Sequence, residues 1–294
     1  MSNDQWKPIA AHIGQVTGQP FEVSDRRSVG GGCINRGYAL SDGSRTFFVK
    51  LNQASQIAMF EAEAAGLQEM QATRTIRVPT PICYGMAGSD SYIVLEWIDL
   101  GQGGSRPWRE MGRQLAAMHQ KTIRSGFGWD RDNTIGSTPQ INRWTKSWTE
   151  FWVDCRINYQ LRLANRRGGH FPNHGNLLEA IPKLLAGYTP QPSLVHGDLW
   201  SGNAAIAQSG DPVIFDPATY YGDREVDLAM TELFGSFPTE FYWGYNEVFP
   251  LDVGYKRRKT LYNLYHILNH FNLFGGSYES QANRMIQQIV AEVR

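Results

Sequence analysis

The sequence predicts an α+β protein of two lobes, a small β-rich lobe over residues 1–100 and a larger, mainly helical lobe over 101–294. Three observations carry this. The first hundred residues hold short β-prone runs broken by glycine turns, with strongly periodic helices beside them. The residues beyond hold long stretches with apolar positions at helical spacing. Between them stands GQGGSRP, a glycine-rich break with no apolar periodicity.

Taken in order, Trp6, Ile9, Ile13 and Val16 recur at helical spacing and predict a short amphipathic helix ending near Gly18. From residue 21 to 51 the pattern turns to β-prone runs around SVGGGCIN and LSDGSR, where Asp42 and Gly43 signal a hairpin turn. The strand TFFVKL follows, with Lys50 in apolar company. SQIAMFEAEAAGLQEM predicts a helix with Ile57, Phe60, Ala64 and Leu67 on its buried stripe. The two prolines of VPTPICYG force extension, because each restricts the residue before it. SYIVLEWIDL reads as a buried strand running into the break. Beyond it, PWREMGRQLAAMHQ, WTKSWTEFWVDCRINYQLRLA and RRKTLYNLYHILNHFNLF predict helices. Only SLVHGD, AAIAQ and PVIFD read as short strands there, giving the helical lobe a β-hairpin insert.

An apolar fraction of 41% over 294 residues is enough to bury a core in each lobe. Twenty-eight basic side chains balance twenty-eight acidic ones, which excludes the broad positive footprint of a nucleic-acid binder. No apolar run reaches the length that spans a bilayer, and the opening MSNDQWKPIA lacks the charged-then-apolar pattern of a signal peptide. Cys33, Cys83 and Cys155 are odd in number and far apart, against a disulfide framework or a zinc site. The expectation is a cytoplasmic protein that binds neither nucleic acid nor membrane.

LVHGDLWSGN, residues 194–203, concentrates side chains that cannot build core. His196, Asp198 and Asn203 fit H-x-D-x-x-x-x-N, the spacing of a kinase catalytic loop. In that loop an aspartate accepts a hydroxyl proton while the asparagine holds a magnesium ion beside it. Thirteen residues on (216 − 203 = 13), VIFDPA brings Asp216 to the end of a strand, where the kinase pattern has its main metal-binding aspartate. The plainer alternative is a helix cap at Asp198 and an Asp-Pro turn at Asp216.

Upstream, Lys50 matches the phosphate-pairing lysine of a small lobe, or else a charge on an edge strand. Glu63 lies three residues after Phe60 and four before Leu67, so it shares their buried face and needs a cation; Glu61 points away. Lys50 is the obvious partner. Gly30, Gly31 and Gly32 would let backbone amides approach nucleotide phosphates, although a triple glycine can equally be a turn. No G-K-[ST] follows, so it is not a Walker loop. Around Leu95, Glu96, Trp97 and Ile98 the chain reaches the lobe junction, where the backbone of Glu96 and Ile98 could pair with adenine. His266 and His270 stand i, i+4 on one helix, as zinc ligands can. No Glu follows the first, which favours a pocket-lining or core pair, with His270 assigned to the substrate.

With these residues in hand the chain resembles the fructosamine kinase (ketosamine-3-kinase) family, in the aminoglycoside-phosphotransferase branch of protein-kinase-like folds. Lys50, Glu63, Asp198, Asn203 and Asp216 would suit any member of that branch. HGDLWSGN is more specific, with its tryptophan in the family's position. FGWDRDNTIGSTPQINRWTKSWTEFW resembles the family's segment linking the lobes, with a G-x-x-P-Q-x-N-x-W core. FDPATYYGDREVDLAM and LYHILNHFNLFGGSY resemble its C-terminal portions, departing from the pattern at Asp223.

The resemblance implies a bilobal kinase that uses ATP and Mg2+ to phosphorylate the C3 hydroxyl of ketosamines, free or on glycated proteins. The 3-phosphate then breaks down and frees the amine. Asp198 would be the catalytic base, Asn203 and Asp216 the metal ligands, and Lys50, Glu63, Gly30, Gly31, Gly32, Glu96 and Ile98 the nucleotide site. Trp200, two residues past the base, would pack against the acceptor and bond a hydroxyl through its N–H, or else plug the loop. Cys33 directly follows the glycines, whose amides would lower a thiol's pKa. It is either a filler behind the loop or a redox switch, able to turn a monomer into a Cys33–Cys33 homodimer.

Overall fold

The structure is a computed structural model that describes residues 5–30, 34–121 and 124–294. Its backbone divides into two compact units, residues 1–103 with 204–216 and residues 104–203 with 217–294.

In the first unit α1 (Trp6–Thr17) buries Trp6, Ile9, Ala10 and Ile13, and Gly18 closes it at φ 71°. Val16, expected on the same stripe, is exposed because it falls at the stripe's edge in the last turn. Five strands follow: β1 (Asp25–Val29), β2 (Arg36–Ser41), β3 (Thr46–Gln53), β4 (Pro81–Ala87) and β5 (Asp90–Glu96). They form one antiparallel sheet in the order β1-β2-β3-β5-β4. The turn between β2 and β3 uses Gly43 at φ 94°, with Asp42 Oδ1 accepting from the amides of Ser44 and Arg45. Between β3 and β4 runs α2 (Ile57–Thr73), which buries Phe60, Ala64 and Leu67.

The hairpin made by Ala204–Ile206 and Pro212–Ile214 belongs to this unit, although it lies far along the chain. Ile214 N–H donates to Arg77 O (3.1 Å), Gly101 N–H to Ile206 O (2.8 Å) and Gln208 N–H to Asp99 O (2.8 Å). Reading the chain in order kept 101–294 together; this backbone pairing takes residues 204–216 out of that block.

The second unit is helical: α3 (Ser105–Lys121), α4 (Trp148–Phe151), α5 (Asn158–Arg166), α6 (His174–Leu184), α7 (Glu225–Thr231), α8 (Thr239–Val248), α9 (Tyr255–Phe274) and α10 (Tyr278–Ala291). The helix expected over 144–164 starts only at Trp148, because Ser147 is extended and caps the turn through Glu150 N–H. A π-helical turn, Trp152–Ile157, then interrupts it. Buried residues surround most of α9, which makes it the unit's central helix. The stretch 127–152 was expected to link the lobes. Instead it lies wholly inside this unit, with Phe127 and Thr145 exchanging backbone bonds and Gly128 bonding Tyr221.

Candidate active site

The strand Ser193–Val195 pairs with Tyr220–Gly222, Val195 opposite Tyr220, and delivers His196 to a fully buried position. Gly197 follows at φ 81°, and a Cβ there would meet Ala218 O at 2.1 Å, so only glycine is accommodated. Asp227, buried in α7, accepts His196 N–H (2.7 Å) on one carboxylate oxygen and Gly197 N–H (2.8 Å) on the other. His119 of α3 bonds the same carboxylate through Nε2 at 3.1 Å. Burial would raise Asp227, but opposing effects led by the hydrogen bond with His119 outweigh it and hold the carboxyl below its usual range. Burial also lowers His119, which keeps it neutral. Its Nε2 therefore carries the proton toward Asp227, and Nδ1 accepts from Tyr245 Oη–H at 2.8 Å. Asp227 and His119 were not singled out in the sequence, where each reads as an ordinary helix residue and no spacing ties it to the loop.

Asp198 is held within this frame. Its N–H donates to His196 Nδ1 (3.2 Å), and Asn203 Nδ2 donates to Asp198 O (2.9 Å) and Oδ2 (3.3 Å). Asn203 Oδ1 makes no hydrogen bond among the described residues, which leaves it as an oxygen donor for a cation. Trp200 is half-buried and lies over Gly202, where a Cβ would fall 2.3 Å from the indole's benzo edge. Its indole N–H has no partner among the described residues.

A second set of residues gathers in the first unit. Lys50, on β3 opposite Gly37 and Ile93, is buried. Its ammonium donates to Glu63 Oε1 at 2.6 Å and to Asp216 Oδ1. Burial would pull this lysine down, but the charges of Asp216 and Glu63 outweigh it and raise it above the usual range, so it stays a cation. Asp216 adopts φ 59°, a left-handed conformation uncommon outside glycine, and nearly half of its side chain faces solvent. Its Oδ2 makes no hydrogen bond among the described residues, so one carboxylate oxygen remains for a hard cation.

The other expected site residues fare differently. Among the described residues nothing lies within 4 Å of a Cβ added at Gly30. Gly31, Gly32 and Cys33 lie outside the described residues. Glu96 ends β5 with its N–H bonded to Thr80 O (2.8 Å) and its carboxylate bonded to Arg77 and Thr80. Ile98 follows in the half-buried connection. His270 packs against Phe234, Phe274 and Tyr278, with ring centroids 4.7, 5.7 and 5.1 Å away. Its Nδ1 donates to His266 O (2.8 Å), and burial lowers it, so neutral His270 presents Nε2 as an acceptor. His266 is buried and held down to about 3 by burial. Among the described residues no group of three His, Cys, Asp or Glu side chains could hold a metal. Cys83 and Cys155 are buried free thiols, and burial pushes both up, Cys83 to about 12, so neither is a ready thiolate.

Comparison with known proteins sets these residues in a class. The backbone resembles an aminoglycoside phosphotransferase, APH(4)-Ia, with a TM-score of 0.62 over 97% of this chain and 98% of that one; at 16% identity this speaks for the fold alone. The fold is thus that of the protein-kinase-like phosphotransferases. Within it the chain belongs to the fructosamine kinase family, whose description "Fructosamine kinase" matches residues 5–292. A Synechocystis protein named "Probable ketoamine kinase" is 59% identical, covering 96% of each chain. An Arabidopsis thaliana protein named protein-ribulosamine 3-kinase, chloroplastic, is 46% identical, covering 92% of this chain and 83% of its own. A crystal structure under the name "Putative fructosamine-3-kinase", from Haemophilus somnus, has 32% identity and a TM-score of 0.92, covering 97% of this chain and 98% of that one. As a member of a kinase family the chain uses ATP. No helix among the described residues is long and apolar enough to cross a membrane.

Proposed function

We propose that the protein transfers the γ-phosphoryl group of ATP to the C3 hydroxyl of a ketosamine, free or on a glycated protein. An O3–P bond forms, the P–O bond to ADP breaks, and Asp198 takes the hydroxyl proton. The 3-phosphate then eliminates as phosphate, and water hydrolyses the resulting imine, so the sugar leaves as a deoxy-dicarbonyl and the amine is freed. The observation that carries this reading is the held carboxylate of Asp198, oriented by Asn203 on a backbone clamped by Asp227, in a chain of this family.

The remaining roles follow from chemistry. Lys50, kept charged and fixed by Glu63, pairs with the α- and β-phosphates. By the family resemblance the glycine loop at Gly30 would cover them, and the carbonyl of Glu96 with the backbone of Ile98 would receive adenine. Asn203 and Asp216 would hold Mg2+, which neutralises phosphate charge when bound; a carboxylate and an amide oxygen suit a hard ion that also keeps phosphates and waters. Trp200 offers the acceptor an apolar face and a free N–H, and His270 an acceptor nitrogen among aromatic rings. Catalysis is then positioning plus charge neutralisation.

The test is an ADP-coupled assay on ribulosamine, fructosamine, kanamycin and choline, run with wild type and Asp198→Asn. Turnover is expected on ketosamines, with kcat in Asp198→Asn down about a hundredfold or more while ATP still binds. Turnover confined to kanamycin or choline would overturn the substrate assignment. Near-native turnover by Asp198→Asn would overturn the catalytic one.

A further inference from the structure

The G-x-x-P-Q-x-N-x-W core, residues 136–144, contains no group suited to phosphoryl transfer, yet its amides are buried and fully engaged. Gln140 and Asn142 are 1% and 0% exposed. Gln140 Nε2 donates to Ala218 O (3.0 Å) and to Asn133 Oδ1 (2.8 Å), while its Oε1 accepts from Tyr265 Oη–H (2.7 Å). Asn142 Nδ2 donates to the same Asn133 oxygen (2.8 Å), and Asn133 Nδ2 donates to Thr219 O (2.8 Å). Arg156, turned inward from the π-helical turn, donates to Asn142 Oδ1 (2.8 Å) and Ile141 O (2.6 Å). Its guanidinium lies 4.1 Å from the Tyr220 ring and 4.5 Å from Phe151, and no carboxylate pairs with it among the described residues. A buried cation without a counterion is expensive, and although Arg156 Nε has no partner among the described residues, the amide groups of Gln140 and Asn142 are satisfied and rigidify what they touch. What the network touches is the backbone of Ala218 and Thr219.

Ala218 is the abutment of the catalytic loop. Ala218 N–H donates to His196 O at 2.8 Å. Its carbonyl, the acceptor for Gln140, stands where a Cβ on Gly197 would come within 2.1 Å. Gln140 therefore holds the carbonyl of a residue whose own N–H holds His196 and whose oxygen backs the residue before Asp198. We propose that Gln140 is a positioning residue for phosphoryl transfer, and that the motif around it sets the height of the catalytic loop through Ala218 without contacting substrate. This rests on Asp198 as the residue that receives the acceptor's proton. Displacement of a reacting group by about 1 Å costs on the order of a hundredfold, so the loss should appear in kcat.

The experiment is steady-state kinetics of Gln140→Met in the full chain, with kcat referred to nucleotide sites counted by ATP-analogue binding in the same preparation. Methionine keeps length and volume but cannot donate to Ala218. The expected result is kcat down about tenfold or more, with KM for ATP and for the ketosamine within about twofold of wild type. The amide resonances of Gly197 and Asp198 should shift, which mere loss of stability in the folded protein would not cause. A native kcat, or a raised ketosamine KM at native kcat, overturns the proposal. If Gln140→Met does not fold, Tyr265→Phe removes only the hydroxyl that orients the Gln140 amide. Several-fold loss of kcat at unchanged KM is expected there, and native kcat overturns the proposal. Asp198→Asn run alongside separates the two ideas: if it stays active the parent reading fails, and if it is inactive while Gln140→Met is native only this one does.

Discussion

Gly202 lacks a side chain where the Trp200 ring lies, since a Cβ there would sit 2.3 Å from the indole. The contact pins one part of the ring against the loop and leaves its N–H without a partner among the described residues. A plug would need only the packing. A surface for sugar C–H groups needs the packing and the free donor together, and both are present. Trp200→Ala should therefore raise KM for the ketosamine far more than for ATP. Losing about 2 kcal/mol of acceptor contact corresponds to roughly thirtyfold in kcat/KM. Unchanged ketosamine kinetics in a stably folded variant would leave Trp200 with packing as its sole role. The loop's chemistry was readable because H-x-D-x-x-x-x-N is contiguous. Its supports were not, because Asp227, His119 and Gln140 reach it from distant segments and look like ordinary helix or loop residues in one dimension.

At the scale of elements, α3 and α8 touch backbone to backbone. A Cβ on Gly112 would lie 2.0 Å from Phe241 O, and one on Gly244 would lie 1.9 Å from Arg109 O. This closeness lets His119 on α3 reach Tyr245 on α8. Gly244→Ala sets two effects against each other. Helix propensity favours alanine by about 1 kcal/mol. A methyl driven into a backbone carbonyl at 1.9 Å costs more, about 3 kcal/mol, because no flexible side chain can give way. The clash wins, and a drop in Tm of roughly 4–10 °C is expected in a thermal melt; an unchanged Tm would mean the helices stand further apart. The same elements show what the sequence conveyed. In α3 the apolar residues follow a clear helical period, and in SYIVLE a continuous apolar run marks a buried strand. The ten residues of α8, TEFYWGYNEV, carry aromatics all round and a glycine inside, so only the close seat against α3 explains them. Three-residue strands such as Asn133–Ile135 and Thr138–Gln140 are too short to show alternation, and a π-helical turn leaves no compositional mark.

For the whole molecule the pH dependence of stability turns on a buried acid far from any solvent. Asp223 is 0% exposed and accepts from Tyr262 Oη–H (2.5 Å), Tyr188 Oη–H (3.1 Å) and Glu225 N–H (3.0 Å). Glu225, equally buried, is held by the Arg258 guanidinium through two bonds of 2.8 Å. Burial, and then the nearby charge of Glu225, push Asp223 up to about 7; the hydrogen bonds it accepts oppose this without cancelling it. Its folded pKa is thus above the unfolded value near 3.8, and folding takes up a proton between the two. The stabilisation is full below about 4 and is lost as pH rises through about 7. Asp223→Asn keeps the shape and removes the titration. Urea unfolding at pH 5 and pH 8 should show wild type losing stability between them, and the variant losing markedly less. Equal losses in both proteins would mean that Asp223 does not contribute to the slope between pH 5 and pH 8 and that another group sets it.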